Sequence, residues 1–270
     1  MNKSKGNLMT LYLKETGKDN PVTIIFLHEL NMAGWMWDKQ LEAFPDYHCI
    51  VPDLPEHGKS IDSPPFTIRS AADQVLELIK EKAHKGKAHL VGISMGAQVI
   101  LKILNNAPKR VNHAFISGVL VNSSQPTDTF LELFNYLLDA YIPIKNHPLS
   151  IGSYIRCYGI PKSQRNNFIK STNVIKPNPA REILKENILF KIPDKLDNVD
   201  TPILIIAGEK DYTIIKKSAP ELASVLSNSR AFLAPGVGHV WNMEKPELFN
   251  EVLRSWITGS TLPPNFMEIG

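Results

Sequence analysis

Gly92-Ile93-Ser94-Met95-Gly96 follows Ala88 to Val91, a short apolar run, and precedes Ala97 to Asn106, which is apolar on several sides until Pro108 stops it. The first run reads as a buried strand and the second as a helix packed beside a sheet. The chain must therefore pass from strand to helix within a couple of residues. Such a turn strains the backbone at Ser94 and leaves no room for side chains at the flanking positions, which accounts for glycine at 92 and 96. The spacing predicts a Ser94 hydroxyl raised to the carboxyl edge of the sheet, the edge at which parallel sheets bind ligands. The positive end of the following helix favours negative charge developing there.

Outward from this turn, strands and helices alternate. Val22 to His28, Tyr47 to Pro52, Val111 to Val121, Ile203 to Ala207 and Arg230 to Ala234 read as strands, with Leu8 to Glu15 as an edge strand. Trp35 to Phe44 has helical spacing. Ile68, Ala71, Ala72, Val75, Leu78 and Ile79 recur every three or four residues in a helix that Thr67 is placed to cap. Asn242 to Ile257 closes the pattern as a helix with Phe249, Val252, Leu253 and Trp256 on one face. The fold class is α/β, a mostly parallel central sheet with helices on both faces.

Between Asn122 and about Val199 the alternation gives way to helical patterns alone. Phe130, Phe134, Leu137, Leu138 and Tyr141 share a face, and Asn178-Pro179 reads as a cap followed by proline at the first helical position. The expected organisation is a core of residues 1–122 and 199–270 with a helical cap, residues 123–198, folded over the sheet edge as a lid on a substrate pocket.

A chain of 270 residues that is 43% hydrophobic can bury a full core, which disfavours a disordered or fibrous protein. Thirty Lys and Arg against 27 Asp and Glu give a net charge of +3 with no long basic run, so neither nucleic acid nor membrane is expected as a partner. The amino terminus, Met1 to Asn7, is polar, and no stretch approaches the ~18 consecutive apolar residues of a spanning helix. A cytoplasmic monomer or homodimer acting on a small molecule is the expectation. Cys49 and Cys157 belong to no CxxC or zinc-like spacing and read as free, buried thiols. No P-loop or dinucleotide motif occurs, and no cofactor or metal is expected.

A serine hydroxyl is a weak nucleophile at neutral pH and needs a base within hydrogen-bond reach, oriented by a third group. Among eight histidines, His239 is best placed, because Gly236-Val237-Gly238-His239 follows the last predicted strand and precedes the last helix. Gly208-Glu209-Lys210-Asp211 follows the strand Ile203 to Ala207 and supplies the acid. Asp211 is preferred over Glu209, which sits nearer the strand end and is expected to point sideways.

These features resemble the α/β-hydrolase family over almost the whole chain. The resemblance is carried by Gly92-Ile93-Ser94-Met95-Gly96, Leu27-His28, Asp53-Leu54-Pro55-Glu56-His57-Gly58-Lys59-Ser60 and Gly238-His239 with its trailing helix. The order Ser94, Asp211, His239 is the serine, acid, histidine order of that fold. The resemblance implies a catalytic triad of these three residues and an oxyanion hole built from the backbone amides of Leu30 and Met95. It also implies that His28 and His57 shape loops. It is weak for substrate, since the family includes esterases, thioesterases, lactonases, carbon–carbon bond hydrolases and perhydrolases. A small or medium carboxylic ester is the default. Its rivals are a carbon–carbon bond hydrolase with the same triad and a hydrolase-fold receptor or regulatory binding protein with slow or no turnover, which a large apolar patch on the outside of the lid would support.

Two positions depart from the family pattern. Glu29 follows His28 where glycine is usual, and Glu56 replaces a glycine in the later loop. Glu29 is expected to point away and pair with a nearby base or backbone amide; a carboxylate facing the pocket would instead repel an oxyanion or anionic substrate and favour neutral or cationic ones. Glu29, Trp35, Phe130, Phe134, Leu137 and Tyr141 are the candidate substrate-binding residues, the five apolar and aromatic ones each with packing in the core or between cap helices as the alternative.

Overall fold

The computed structural model describes residues 11–63, 65–123 and 125–269. The polar segment Met1 to Asn7, the start of the predicted edge strand at Leu8 and the terminal Gly270 lie outside the described residues. In chain order the elements are β1 (Leu13–Thr16), β2 (Thr23–Leu27), α1 (Asp38–Ala43), β3 (His48–Pro52), α2 (Ile68–Lys82), β4 (Ala88–Ile93), α3 (Met95–Asn106) and β5 (Val111–Ser117). Four helices follow, α4 (Asp128–Tyr141), α5 (Pro148–Cys157), α6 (Arg165–Val174) and α7 (Pro177–Ile188). The chain then returns to the sheet through β6 (Ile203–Gly208), α8 (Thr213–Val225), β7 (Ser229–Ala234), α9 (Trp241–Glu244), α10 (Pro246–Thr258) and β8 (Met267–Glu268).

The strands form one sheet in the order β1-β3-β2-β4-β5-β6-β7-β8. β1 is antiparallel to β3 and β8 to β7, and the remaining pairs are parallel. Side chains alternate across the pleat, so both faces of the central strands are apolar. Ile25, Leu27, Leu90, Ile116 and Ile205 enter the core shared with α2, α3 and α8, whereas Ile24, Phe26, Val91, Phe115 and Leu204 enter the one shared with Trp37, Trp241 and α10.

Several element boundaries differ from the sequence reading for local reasons. Thr67 caps α2 as expected, its hydroxyl accepting from Ser70 N–H in a reciprocal capping box. The segment after Ala33 starts with a 3₁₀ turn, Gly34–Trp37, before α1. β5 ends at Ser117 rather than Val121, because Gly118 takes a left-handed conformation with φ 60°. α7 begins at Pro177, two residues before Pro179, with Lys176 at the cap position. The last helical segment is broken at Lys245, and Pro246 opens α10.

The segment between β5 and β6 is tied at its base. Asn122 N–H donates to Phe190 O at 3.0 Å, Ile192 N–H donates to Asn122 O at 3.3 Å, and the Asn122 amide donates to Ile188 O at 2.9 Å. Both cysteines are free; Cys49 is buried as expected, but Cys157, on the last turn of α5, is exposed. Among the described residues no helix is long and apolar enough to cross a membrane.

Candidate active site

Ser94 sits between β4 and α3 with φ 52° and ψ −113°, a conformation that costs a non-glycine residue on the order of 1–3 kcal/mol. Its neighbours explain how the strain is held. A Cβ on Gly92 would lie 2.6 Å from the carbonyl carbon of Gly96 and 2.8 Å from Ala97 N, and one on Gly96 would collide with the carbonyl oxygen of Leu27. Only glycine lets β4, α3 and the end of β2 approach this closely. Ser94 N–H donates to Ser117 O at 2.8 Å, which fixes the turn against the end of β5.

Parallel pairing of β4, β5, β6 and β7 then aligns the chemistry along one edge. Ser94 follows β4, Gly118 follows β5, Asp211 follows β6 and His239 follows β7. His239 Nδ1–H donates to Asp211 at 2.9 Å from Oδ2 and 3.1 Å from Oδ1. Tyr212 N–H donates to Asp211 Oδ1 at 2.7 Å, and both side chains of the pair are buried. With the proton on Nδ1, Nε2 carries the lone pair. Nε2 is buried and makes no hydrogen bond among the described residues, so the Ser94 hydroxyl is not bonded to it in this structure. Burial opposes the imidazolium, but the hydrogen bond and charge of Asp211, followed by the charge of Glu29, raise His239 above the ordinary imidazole value. Glu209 is occupied elsewhere: its Oε2 accepts from Gly236 N–H at 2.7 Å and shapes the turn before His239.

Gly118 has a part in this geometry that periodicity did not reveal. A Cβ there would lie 2.9 Å from Cε1 and 3.0 Å from Nδ1 of His239, so the missing side chain is the space the imidazole fills.

The loop after β2 carries Leu30, the second expected amide donor, and histidine fixes its course. His28 Nδ1–H donates to Glu29 O at 2.9 Å, and Nε2 accepts from Leu54 N–H at 2.8 Å. His57 Nδ1–H donates to Pro55 O at 2.9 Å, with its ring 5.1 Å from that of His28. Burial pushes His28 down to about 4; burial and then the neighbouring His28 push His57 down to about 3, so both are neutral struts. Asp53 ties the same loops, accepting from Gly34 N–H at 2.7 Å and Lys59 N–H at 2.8 Å. Met95 is the first residue of α3, so its amide has no carbonyl partner within the helix.

Glu29 does not pair with a base or a backbone amide among the described residues. It is 1% exposed, and its Oε1 accepts from the Tyr154 hydroxyl at 2.6 Å, with no ion pair to a basic residue among the described residues. Burial pushes its carboxyl up to about 7, against the pull of His239 and then of Tyr154. The left-handed conformation falls at Asn31 and Glu56, each with φ 61°, and not at Glu29. Glu56 is held there by Phe66 N–H, which donates to its Oε2 at 2.8 Å.

Two aromatic side chains that reach the site come from α5 and the residue after it. The Tyr158 ring meets His239 edge-on, 4.9 Å between centroids and 87° between planes, and stacks on Tyr154 at 4.1 Å. Of the α4 candidates, Phe134 is buried and Tyr141 half-buried, while Phe130 and Leu137 are 45% and 55% exposed. Trp35 is half-buried, donates to Ser171 Oγ at 2.8 Å and lines a separate cavity of about 500 Å³ with Tyr12, Lys14 and Lys59. The i, i+4 spacing of Tyr154 and Tyr158 was the available signal, but the longer apolar face of α4 overshadowed it. No cluster of metal ligands occurs among the described residues.

The sheet order, the strained serine turn and the histidine–aspartate pair define a hydrolase architecture. Residues 24–252 match the alpha/beta hydrolase family, and the chain belongs to that family. An AB hydrolase superfamily protein of Gibberella zeae is 26% identical over 254 residues, covering 92% of this chain and 84% of that protein. A pimeloyl-(acyl-carrier protein) methyl ester esterase of Vibrio campbellii is also 26% identical, over 246 residues, covering 84% of this chain and 91% of that protein. The structure of an esterase from Exiguobacterium antarcticum superimposes with a TM-score of 0.79 at 19% identity, covering 92% of this chain and 95% of that one, a likeness of fold.

Proposed function

We propose that the protein is a serine hydrolase that cleaves a small or medium carboxylic ester through an acyl-enzyme. The observation that carries this reading is the buried His239–Asp211 pair, whose free Nε2 lies at the same sheet edge as the strained Ser94 turn. In this reading His239 Nε2 takes the proton from Ser94 as its Oγ attacks the carbonyl carbon. Asp211 stabilises the imidazolium, and the amides of Leu30 and Met95 hold the oxyanion. His239 then protonates the departing alcohol, and water repeats the cycle on the acyl-enzyme. Helices α4 to α7 act as the cap, with Tyr154 and Tyr158 walling the imidazole from solvent.

The test is hydrolysis of a p-nitrophenyl ester series from short to long acyl chains, with Ser94→Ala alongside. Turnover by the wild type that disappears in the variant supports the reading; turnover that persists in Ser94→Ala overturns it.

One observation favours a second reading, a ligand-binding protein on the same fold. Phe130, Leu133, Tyr136 and Leu137 are exposed on the outside of α4, with Tyr136 at 72% exposure. An apolar stripe there suits a partner rather than a closed enzyme surface. A wild type that binds small esters and turns over none would favour it.

A further inference from the structure

The buried carboxyl of Glu29 is only half used. Tyr154 satisfies Oε1 at 2.6 Å, while Oε2 is buried with no hydrogen-bond partner among the described residues. A second orphan, Nε2 of His239, belongs to the same site. Leaving a buried carboxyl oxygen without a partner is costly, so a group that arrives with a substrate is its natural complement. The groups facing Glu29 define what that partner is. His239 Nδ1–H already donates to Asp211 at the sheet edge, and with the lone pair on Nε2 the neutral ring has no donor left for Glu29. Tyr154 and Tyr158 come from the cap and Tyr212 from the loop after β6; burial and then the charge of Glu29 hold Tyr154 and Tyr158 well above the ordinary phenol value, and burial and then Cys157 push Tyr212 up to about 12, so all three stay neutral. No lysine or arginine reaches the carboxyl among the described residues. The site therefore offers a strong acceptor and lacks a matching cation.

Resting on the serine-hydrolase reading above, we propose that Glu29 is a specificity-determining residue whose Oε2 accepts a hydrogen bond from an N–H of the substrate, so that preferred substrates are esters carrying a protonated amine near the scissile carbonyl. Carboxylate-bearing esters are rejected by the same group. Burial raises the Glu29 carboxyl to about 7, so the preference is fully developed only above neutral pH, and a bound ammonium extends it downward by favouring the ionised form.

The experiment compares isosteric pairs at pH 8. On the acyl side, β-alanine methyl ester is set against methyl butyrate, with monomethyl succinate as the anionic control; on the alcohol side, 2-(dimethylamino)ethyl acetate is set against 3-methylbutyl acetate. Wild type is expected to favour the protonated amine by about tenfold or more in kcat/KM in at least one pair. In Glu29→Gln, which keeps an acceptor for Tyr154, that ratio is expected to fall to within about twofold of unity, and lowering the pH to 6 is expected to shrink the ratio in wild type only. Absence of the preference in both pairs, or its survival in Glu29→Gln, would overturn the inference. Loss of turnover in Ser94→Ala tests the hydrolase reading separately. If no ester is turned over, calorimetric binding of the same pairs to Ser94→Ala and to Ser94→Ala/Glu29→Gln decides the inference by the same ratios.

Discussion

Gly118 and His239 occupy one space: a Cβ on the glycine would stand 2.9 Å from Cε1 and 3.0 Å from Nδ1 of the imidazole. The left-handed φ of 60° at Gly118 turns the chain away just after β5 and lets the ring lie against bare backbone while it bonds Asp211. Gly118→Ala should therefore displace the ring and strain the turn together. Misplacing a catalytic group by about 1 Å costs on the order of 100-fold in rate, so kcat/KM should fall by about that factor while the fold survives. Steady-state kinetics with circular dichroism as a folding control checks it; an unaltered kcat/KM would show that the ring is not positioned by this contact.

In the proposed mechanism His239 acts as a base only when neutral, and against the effect of burial Asp211 raises it. The rising limb of kcat/KM against pH should accordingly have its midpoint above the ordinary imidazole value of about 6.5. Asp211→Asn should lower kcat by about ten-thousand-fold and move the midpoint down. A midpoint unmoved by the substitution would separate Asp211 from the titrating group.

How much of this was readable in the sequence depended on whether local punctuation or tertiary packing sets a residue's place. Ser94, Asp211 and His239 each lie at a strand-to-helix junction marked by glycine, so their arrival at one sheet edge follows from the alternation of elements. Gly118 was invisible because Val119 and Val121 continue an apolar run, and only the left-handed turn shows that the strand has ended. Tyr154 and Tyr158 carry no such mark, because their contact with Glu29 and His239 depends on how the helices between β5 and β6 pack, which periodicity within one helix does not encode. α7 starts at Pro177 rather than Pro179 because both prolines suit a first helical turn and the sequence alone does not choose between them. Pairing of Glu29 with a base or backbone amide is not what the structure shows, because its partner is a phenol 125 residues away.

Glu29 should also leave a mark on stability. Its folded carboxyl titrates at about 7 against an ordinary 4.5. Between those values the folded state holds a proton that the unfolded chain has lost, so this group's contribution falls as pH rises through the window and stays low above it. Glu29→Gln removes that loss. Relative to wild type, the variant should gain up to roughly 3 kcal/mol between pH 4.5 and pH 8. Urea unfolding at both pH values measures it; an equal difference at the two would mean the carboxyl is not buried and protonated.

His57 should act in the opposite sense. Its folded value is pushed down to about 3, so between there and about 6.5 the unfolded chain binds a proton that the folded protein does not. Stability from this group is complete above pH 6.5 and is lost on acidification through that range. His57→Gln should flatten the fall in urea midpoint between pH 6.5 and pH 5 by about one proton's worth, with His28 sustaining the remainder. A slope unchanged in the variant would contradict a neutral, buried His57.

The most direct test of the central claim is reaction of the purified protein with a fluorophosphonate, followed by peptide mapping of the adduct in a mass spectrometer. A single adduct on the peptide containing Ser94, formed in proportion to the loss of ester turnover and absent from Ser94→Ala, is the result expected of a nucleophile raised on the β4–α3 turn at the sheet edge that also carries His239. Ester turnover in a protein that takes up no adduct, or takes it up at another residue, would contradict it.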